Sequence, residues 1–125
     1  MSTTDGPDQL YYLLGEEGAP RRLSAGEVIF EKGDRGAVMC IVRAGSVSLM
    51  DGERVVERVD APGLFGEMAL IERQPRALTA VAGTGTEIVE VSAQEFWMLV
   101  RETPQFARLV MSVMAQRLRR AGGTT

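Results

Sequence analysis

Phe65-Gly66-Glu67-Met68-Ala69-Leu70-Ile71-Glu72-Arg73-Gln74-Pro75-Arg76-Ala77-Leu78-Thr79-Ala80-Val81-Ala82 is the stretch on which the reading of this chain turns. It opens at a glycine-flanked turn, where Gly63 and Gly66 let backbone approach a ligand closely. Glu67 to Ile71 then fits one short helical turn, whose free N–H groups point back toward Gly66. Pro75 ends any helix, and Arg76 stands at the entry of an apolar, strand-like run from Leu78 to Ala82. Helical N–H groups and an arginine facing one hollow suit an anion. A carboxylate beside them suits a hydroxyl. Phosphate plus sugar hydroxyl is the ligand chemistry that these residue types imply.

The pattern F-G-E-x-A-L followed by P-R-A-x-T-A-x-A resembles the phosphate-binding cassette of cyclic-nucleotide-binding domains, the family of the catabolite activator protein and the protein kinase A regulatory subunit. The spacing from Gly66 to Arg76 matches that family without a gap. The resemblance implies a ribose 2′-hydroxyl on Glu67 and the exocyclic phosphate oxygens on Arg76. It also implies that backbone N–H groups of Gly66, Met68, Ala69 and Ala77 complete the phosphate cradle. Cyclic-GMP-selective members often carry a hydroxyl residue after the arginine. Ala77 has none, so cyclic AMP is expected ahead of cyclic GMP. Thr79, two residues on, shares a strand face with Ala77 and is a candidate substitute.

The 125 residues make one domain, large enough for a single core. A net charge of −3 gives no basic face for nucleic acid, and no apolar run approaches the ~20 residues of a membrane span. Met1 to Asp8 lacks the basic and apolar regions of a signal peptide. Cys40 is the one cysteine, which fits a reducing cytoplasm. Histidine is absent, which removes Ser-His and Cys-His nucleophile pairs and every His-containing metal site. The expectation is a non-enzyme with no metal and no cofactor beyond its ligand.

Taken in order, residues 1–7 read as a mobile tail, and Asp8 caps a short apolar helix, Gln9 to Leu14, stopped by Gly15. Residues 21–92 read as mostly β. Strands are predicted at Val28–Phe30, Val38–Ala44, Ser46–Met50, Val55–Val59, Leu78–Ala82 and Glu87–Val91, with Asp51-Gly52 at a tight hairpin turn. The family's fold is a jelly-roll-like β-roll, and Gly26, Gly33, Gly45 and Gly63 stand where its turns carry glycine. The fold class is therefore mainly β with flanking helices: a β-roll over 21–92, its cassette at 65–82, an N-terminal helix and two C-terminal helices over 93–120.

The first C-terminal helix starts at Ser92 with Glu95 in a capping box, and Phe96 and Trp97 are expected to anchor it on the roll. Thr103-Pro104 caps and starts the second, which runs to Arg120 before Gly122-Gly123. Phe106, Leu109, Val110, Val113, Met114 and Leu118 form one apolar stripe on it. That stripe packs on the roll, covers the ligand's base or pairs with a second copy. Val113, Met114 and Arg117 are the candidate lid residues, and a homodimer through 104–120 stays open.

Taken singly, Glu67 and Arg76 fit a surface ion pair worth ~0–1 kcal/mol. Within the full cassette they read as ligand contacts. The functional expectation is a sensor of a cyclic purine nucleotide that moves its C-terminal helices, freestanding, with an unidentified effector protein as partner. The competing reading is a structural or partner-binding domain that keeps the cassette without useful affinity.

Overall fold

A computed structural model describes residues 19–122, so the expected N-terminal helix and tail lie outside the described residues. Eight strands form two four-stranded antiparallel sheets. They are β1 (Arg21–Leu23), β2 (Val28–Phe30), β3 (Val38–Ala44), β4 (Ser46–Asp51), β5 (Arg54–Asp60), β6 (Gly63–Phe65), β7 (Thr79–Ala82) and β8 (Thr86–Ser92). One sheet runs β1-β8-β3-β6 and the other β2-β7-β4-β5. Helix α1 (Glu67–Glu72) interrupts the roll, and α2 (Ala93–Glu102) and α3 (Pro104–Arg120) follow it.

Successive strand side chains point to opposite faces, and β3 uses both. Cys40 and Val42 enter a core between the sheets with Val47, Leu49, Phe65, Ala80 and Ile88. Met39 and Ile41 point the other way, into a second core with Leu64, Leu70, Val89, Phe96, Phe106, Leu109 and Val110. The β3 sheet is thus buried on both faces, by its partner sheet and by the helices. Full burial of such side chains stabilises by about 1.5–3 kcal/mol each. Burial also pushes the Cys40 thiol up to about 12, with Glu90 adding to the rise, so the thiol stays protonated and behaves as an apolar group.

Several boundaries differ from the sequence reading. Strand β6 lies where a turn was expected: Gly63 pairs with Val42 and has no positive φ, and glycine is needed there because a Cβ would meet Asp60 O at 2.7 Å. Strand β4 runs through Asp51, which pairs with Arg54, so the hairpin loop is Gly52-Glu53. The capping box of Ser92 and Glu95 is present in full. Thr103 makes no side-chain cap to α3; its carbonyl accepts from Phe106 N–H at 2.9 Å instead. Trp97 is 42% exposed and Leu118 60% exposed, so neither anchors its helix on the roll. Phe96 does that work, edge-on to Phe106 with centroids 5.6 Å apart. The α3 stripe is therefore buried only through its first half. Val113 and Met114 are half-buried against the core, and the last turn meets the roll through charge.

Candidate functional site

Gly66 caps α1 in the left-handed conformation, φ 86° and ψ 3°, which glycine adopts without a Cβ penalty. The turn aims Glu67 inward, and its side chain is fully buried. Arg76 is only 5% exposed and is held from several sides. Its Nη1 donates to Gly66 O at 2.8 Å and its Nη2 donates to Val38 O. Its backbone N–H donates to Asp34 O, and its carbonyl accepts from Gly33 N–H, both at 2.8 Å. The Phe30 ring lies under the guanidinium, 3.9 Å from its carbon, a cation–π contact worth about 0.5–2 kcal/mol. Gly36 lets this loop close on α1, since a Cβ there would stand 2.4 Å from Ala69 Cβ.

Glu67 and Arg76 do not pair with each other. The partner of Glu67 is Arg117 of α3, whose Nη1 donates to Oε2 at 2.6 Å. Arg117 Nε donates to Glu57 Oε1 and Oε2 at 2.9 and 3.1 Å, and its Nη2 donates to Leu64 O at 2.7 Å. Arg120 Nη1 also donates to Glu57 Oε2, at 2.9 Å. Burial opposes the charge of Arg117, yet attraction and hydrogen bonds to Glu67, then to Glu57, outweigh it and raise its pKa above the ordinary value. Arg76 differs: burial lowers its pKa, and the more distant carboxylates of Asp34 and Glu67 only partly offset this. It still carries its charge at neutral pH.

These groups surround a cavity of about 130 Å³. Among the site residues expected from sequence, Gly66, Glu67, Met68, Ala69, Arg76, Ala77 and Arg117 line it. Thr79, Val113 and Met114 do not. Thr79 Oγ1 accepts from Lys32 N–H at 3.0 Å, and Val113 faces a neighbouring cleft between α3 and the β5–β6 loop. Phe30, Leu49, Glu57 and Leu78 join the lining, and sequence reasoning singled out none of them for the site. Leu49 and Glu57 are directly opposed on β4 and β5, a pairing visible only once the register is known.

Two buried side-chain atoms have no hydrogen-bond partner among the described residues: Glu67 Oε1 and Arg76 Nε. Both belong to residues of this one cavity. A larger cleft of about 590 Å³ lies across α1, between Arg35, Arg73 and Trp97, and shares Ala69 with the smaller cavity. Its volume exceeds that of the cassette cavity, but it lacks buried, unpartnered polar atoms. Chemistry, not size, separates the two.

The chain matches the family described as cyclic nucleotide-binding domain over residues 20–103. It is 34% identical over 101 residues to the cyclic AMP receptor protein of Thermus thermophilus, covering 77% of this chain and 47% of that protein. It is 36% identical over 90 residues to the cAMP-dependent protein kinase regulatory subunit of Eremothecium gossypii, covering 72% of this chain and 18% of that protein. The crystal structure of the Thermus thermophilus catabolite activator protein superposes with a TM-score of 0.76 at 28% identity, covering 91% of this chain and 56% of that one. The chain belongs to the cyclic nucleotide-binding domain family. That family consists of regulatory modules that are generally non-catalytic, and this chain spans less than half the length of either of these relatives. No helix among the described residues is long and apolar enough to cross a membrane.

Proposed function

We propose that this domain senses a cyclic purine nucleotide, cyclic AMP ahead of cyclic GMP, without catalysing a reaction on it. The observation that carries the reading is the pair of orphaned buried atoms, Glu67 Oε1 and Arg76 Nε, on two residues that line one cavity. A buried polar group without a partner costs about 1–3 kcal/mol, and a ligand supplying a hydroxyl and an anion relieves both. The ribose 2′-hydroxyl donates to Glu67 Oε1. The cyclic phosphate accepts from Arg76 and from the first-turn N–H groups that no intrahelical bond can satisfy. Ala77 offers guanine no hydroxyl, and Thr79 does not line the cavity. Both facts favour adenine.

The coupling to the C-terminal helices runs through Arg117, which bonds the same carboxylate that meets the sugar. Hydrogen exchange over residues 108–120 should slow when ligand binds. Met111 and Leu118, seven positions apart and both exposed, leave an apolar strip on α3 for a second copy or an effector protein; sedimentation with and without ligand reads this out. The deciding experiment for the function is calorimetric titration with cyclic AMP and cyclic GMP. Saturable binding, tighter for cyclic AMP, is expected. Absence of binding to both would overturn the sensor reading, and tighter cyclic GMP would overturn the preference.

A further inference from the structure

Arg117 commits each of its three nitrogens to a different partner: Nη1 to Glu67, Nη2 to Leu64 O, and Nε to Glu57. A guanidinium is planar and rigid, so fixing two of its edges fixes the direction of the third. Glu57 grips the Nε edge with both carboxylate oxygens. Its own position is set by β5, where it pairs with Leu49, and by Arg120 on the next turn of α3. Two carboxylates therefore meet two arginines, and the cluster is electrically balanced. Within it Glu67 is satisfied at Oε2 only, and Oε1, on a residue that lines the cavity, is left without a partner.

From this geometry we infer that Glu57 is a positioning residue for sugar recognition: it aims Arg117 so that Glu67 offers Oε1, and not Oε2, to the ligand's hydroxyl. Glu57 does its work without needing to touch the nucleotide. With Glu57 neutral, Arg117 loses the second of its two charged tethers. Its guanidinium is then free to fork across both oxygens of Glu67, as arginine–carboxylate pairs commonly do. That arrangement consumes the acceptor reserved for the sugar. The inference rests on the reading that the ribose hydroxyl meets Glu67.

A four-way titration tests it, with the intact chain and its Glu57→Gln variant each measured against cyclic AMP and 2′-deoxy cyclic AMP. The intact chain should prefer the hydroxyl-bearing ligand by roughly five- to 150-fold, the range for leaving one buried acceptor unmet. In Glu57→Gln that preference should fall to a few-fold, with the loss borne by cyclic AMP and little change for the deoxy analogue. Glu57→Asp, which keeps the charge, should retain more of the preference than Gln. In an Arg117→Lys background, whose ammonium cannot fork across Glu67, Glu57→Gln should no longer lower the preference. Equal weakening of both ligands in Glu57→Gln would make Glu57 a merely structural brace and overturn the inference, as would an unchanged preference. If the intact chain binds both ligands equally, or neither, the reading of Glu67 itself fails, a result distinct from failure of Glu57 alone.

Discussion

The two ends of the cavity hold one arginine each, Arg76 buried and Arg117 half-buried, and the two are solved in opposite ways. Arg76 is surrounded by neutral acceptors, the carbonyls of Gly66 and Val38, and by the face of Phe30. Arg117 is surrounded by anions, Glu57 and Glu67. Carbonyl oxygens satisfy hydrogen-bond donors but leave the charge standing, so burial depresses the pKa of Arg76. Carboxylates cancel the charge, so the pKa of Arg117 rises. An uncancelled buried cation with an unpartnered Nε suits an anion. A cancelled one is a fastener. On the proposed function, two residues of the same type therefore divide into ligand site and helix anchor by the charge of what surrounds them.

The largest effect should come from removing the fastener. Arg117→Ala leaves Glu67 fully buried with no counter-charge, and breaking a buried pair in this way costs about 3–5 kcal/mol. Urea unfolding should read that loss, and adding Glu67→Gln should recover part of it, because the stranded charge is then gone. If the double variant is no more stable than the single one, the fastener is not electrostatic and the contrast with Arg76 collapses.

Removing the receptor should show mainly in binding. Truncating one partner of a desolvated charge contact costs about 2–5 kcal/mol, so Arg76→Ala should weaken cyclic AMP by tens to thousands of fold in calorimetry. Unchanged affinity in that variant would mean that the anion does not sit at Arg76. The comparison would then have its two ends reversed.

A smaller effect is expected at Gly36, which belongs to the Arg76 end only. A Cβ there stands 2.4 Å from Ala69 Cβ and 3.0 Å from Arg76 Cζ. Overpacking of this kind costs about 1–3 kcal/mol. Gly36→Ala should lower the thermal midpoint modestly and weaken ligand binding while leaving α3 docked. Accelerated hydrogen exchange in the last turn of α3 would show instead that the two ends are not separable.

Much of this was legible in the linear chain because its signals are local. The glycine, glutamate, proline and arginine of the cassette act within twelve positions, and short-range backbone rules suffice to read them. The capping box at Ser92 and Glu95 is equally local, and it appears as expected. Strand ends were less legible. β6 passed for a turn because Gly63 is a turn former in isolation, and only its pairing with β3 shows otherwise.

What the sequence by itself determined is the family, the β-roll, and the identity of Glu67 and Arg76 as the chemically marked residues. What only the tertiary structure decided is how each is partnered. Glu57 and Arg117 stand sixty positions apart, Arg117 and Glu67 fifty. No periodicity or motif links such pairs, since a charged residue on an exposed-looking strand reads the same whether or not a helix later folds over it. Thr79 and Leu118 teach the same lesson from the other side. Their spacing was right, but a backbone N–H from a distant loop claims the hydroxyl of Thr79. The last turn of α3 is held by ion pairs, which leaves Leu118 in water. Local chemistry is written along the chain; the choice among competing partners is made only when distant segments meet and burial sets what each unpaired charge costs.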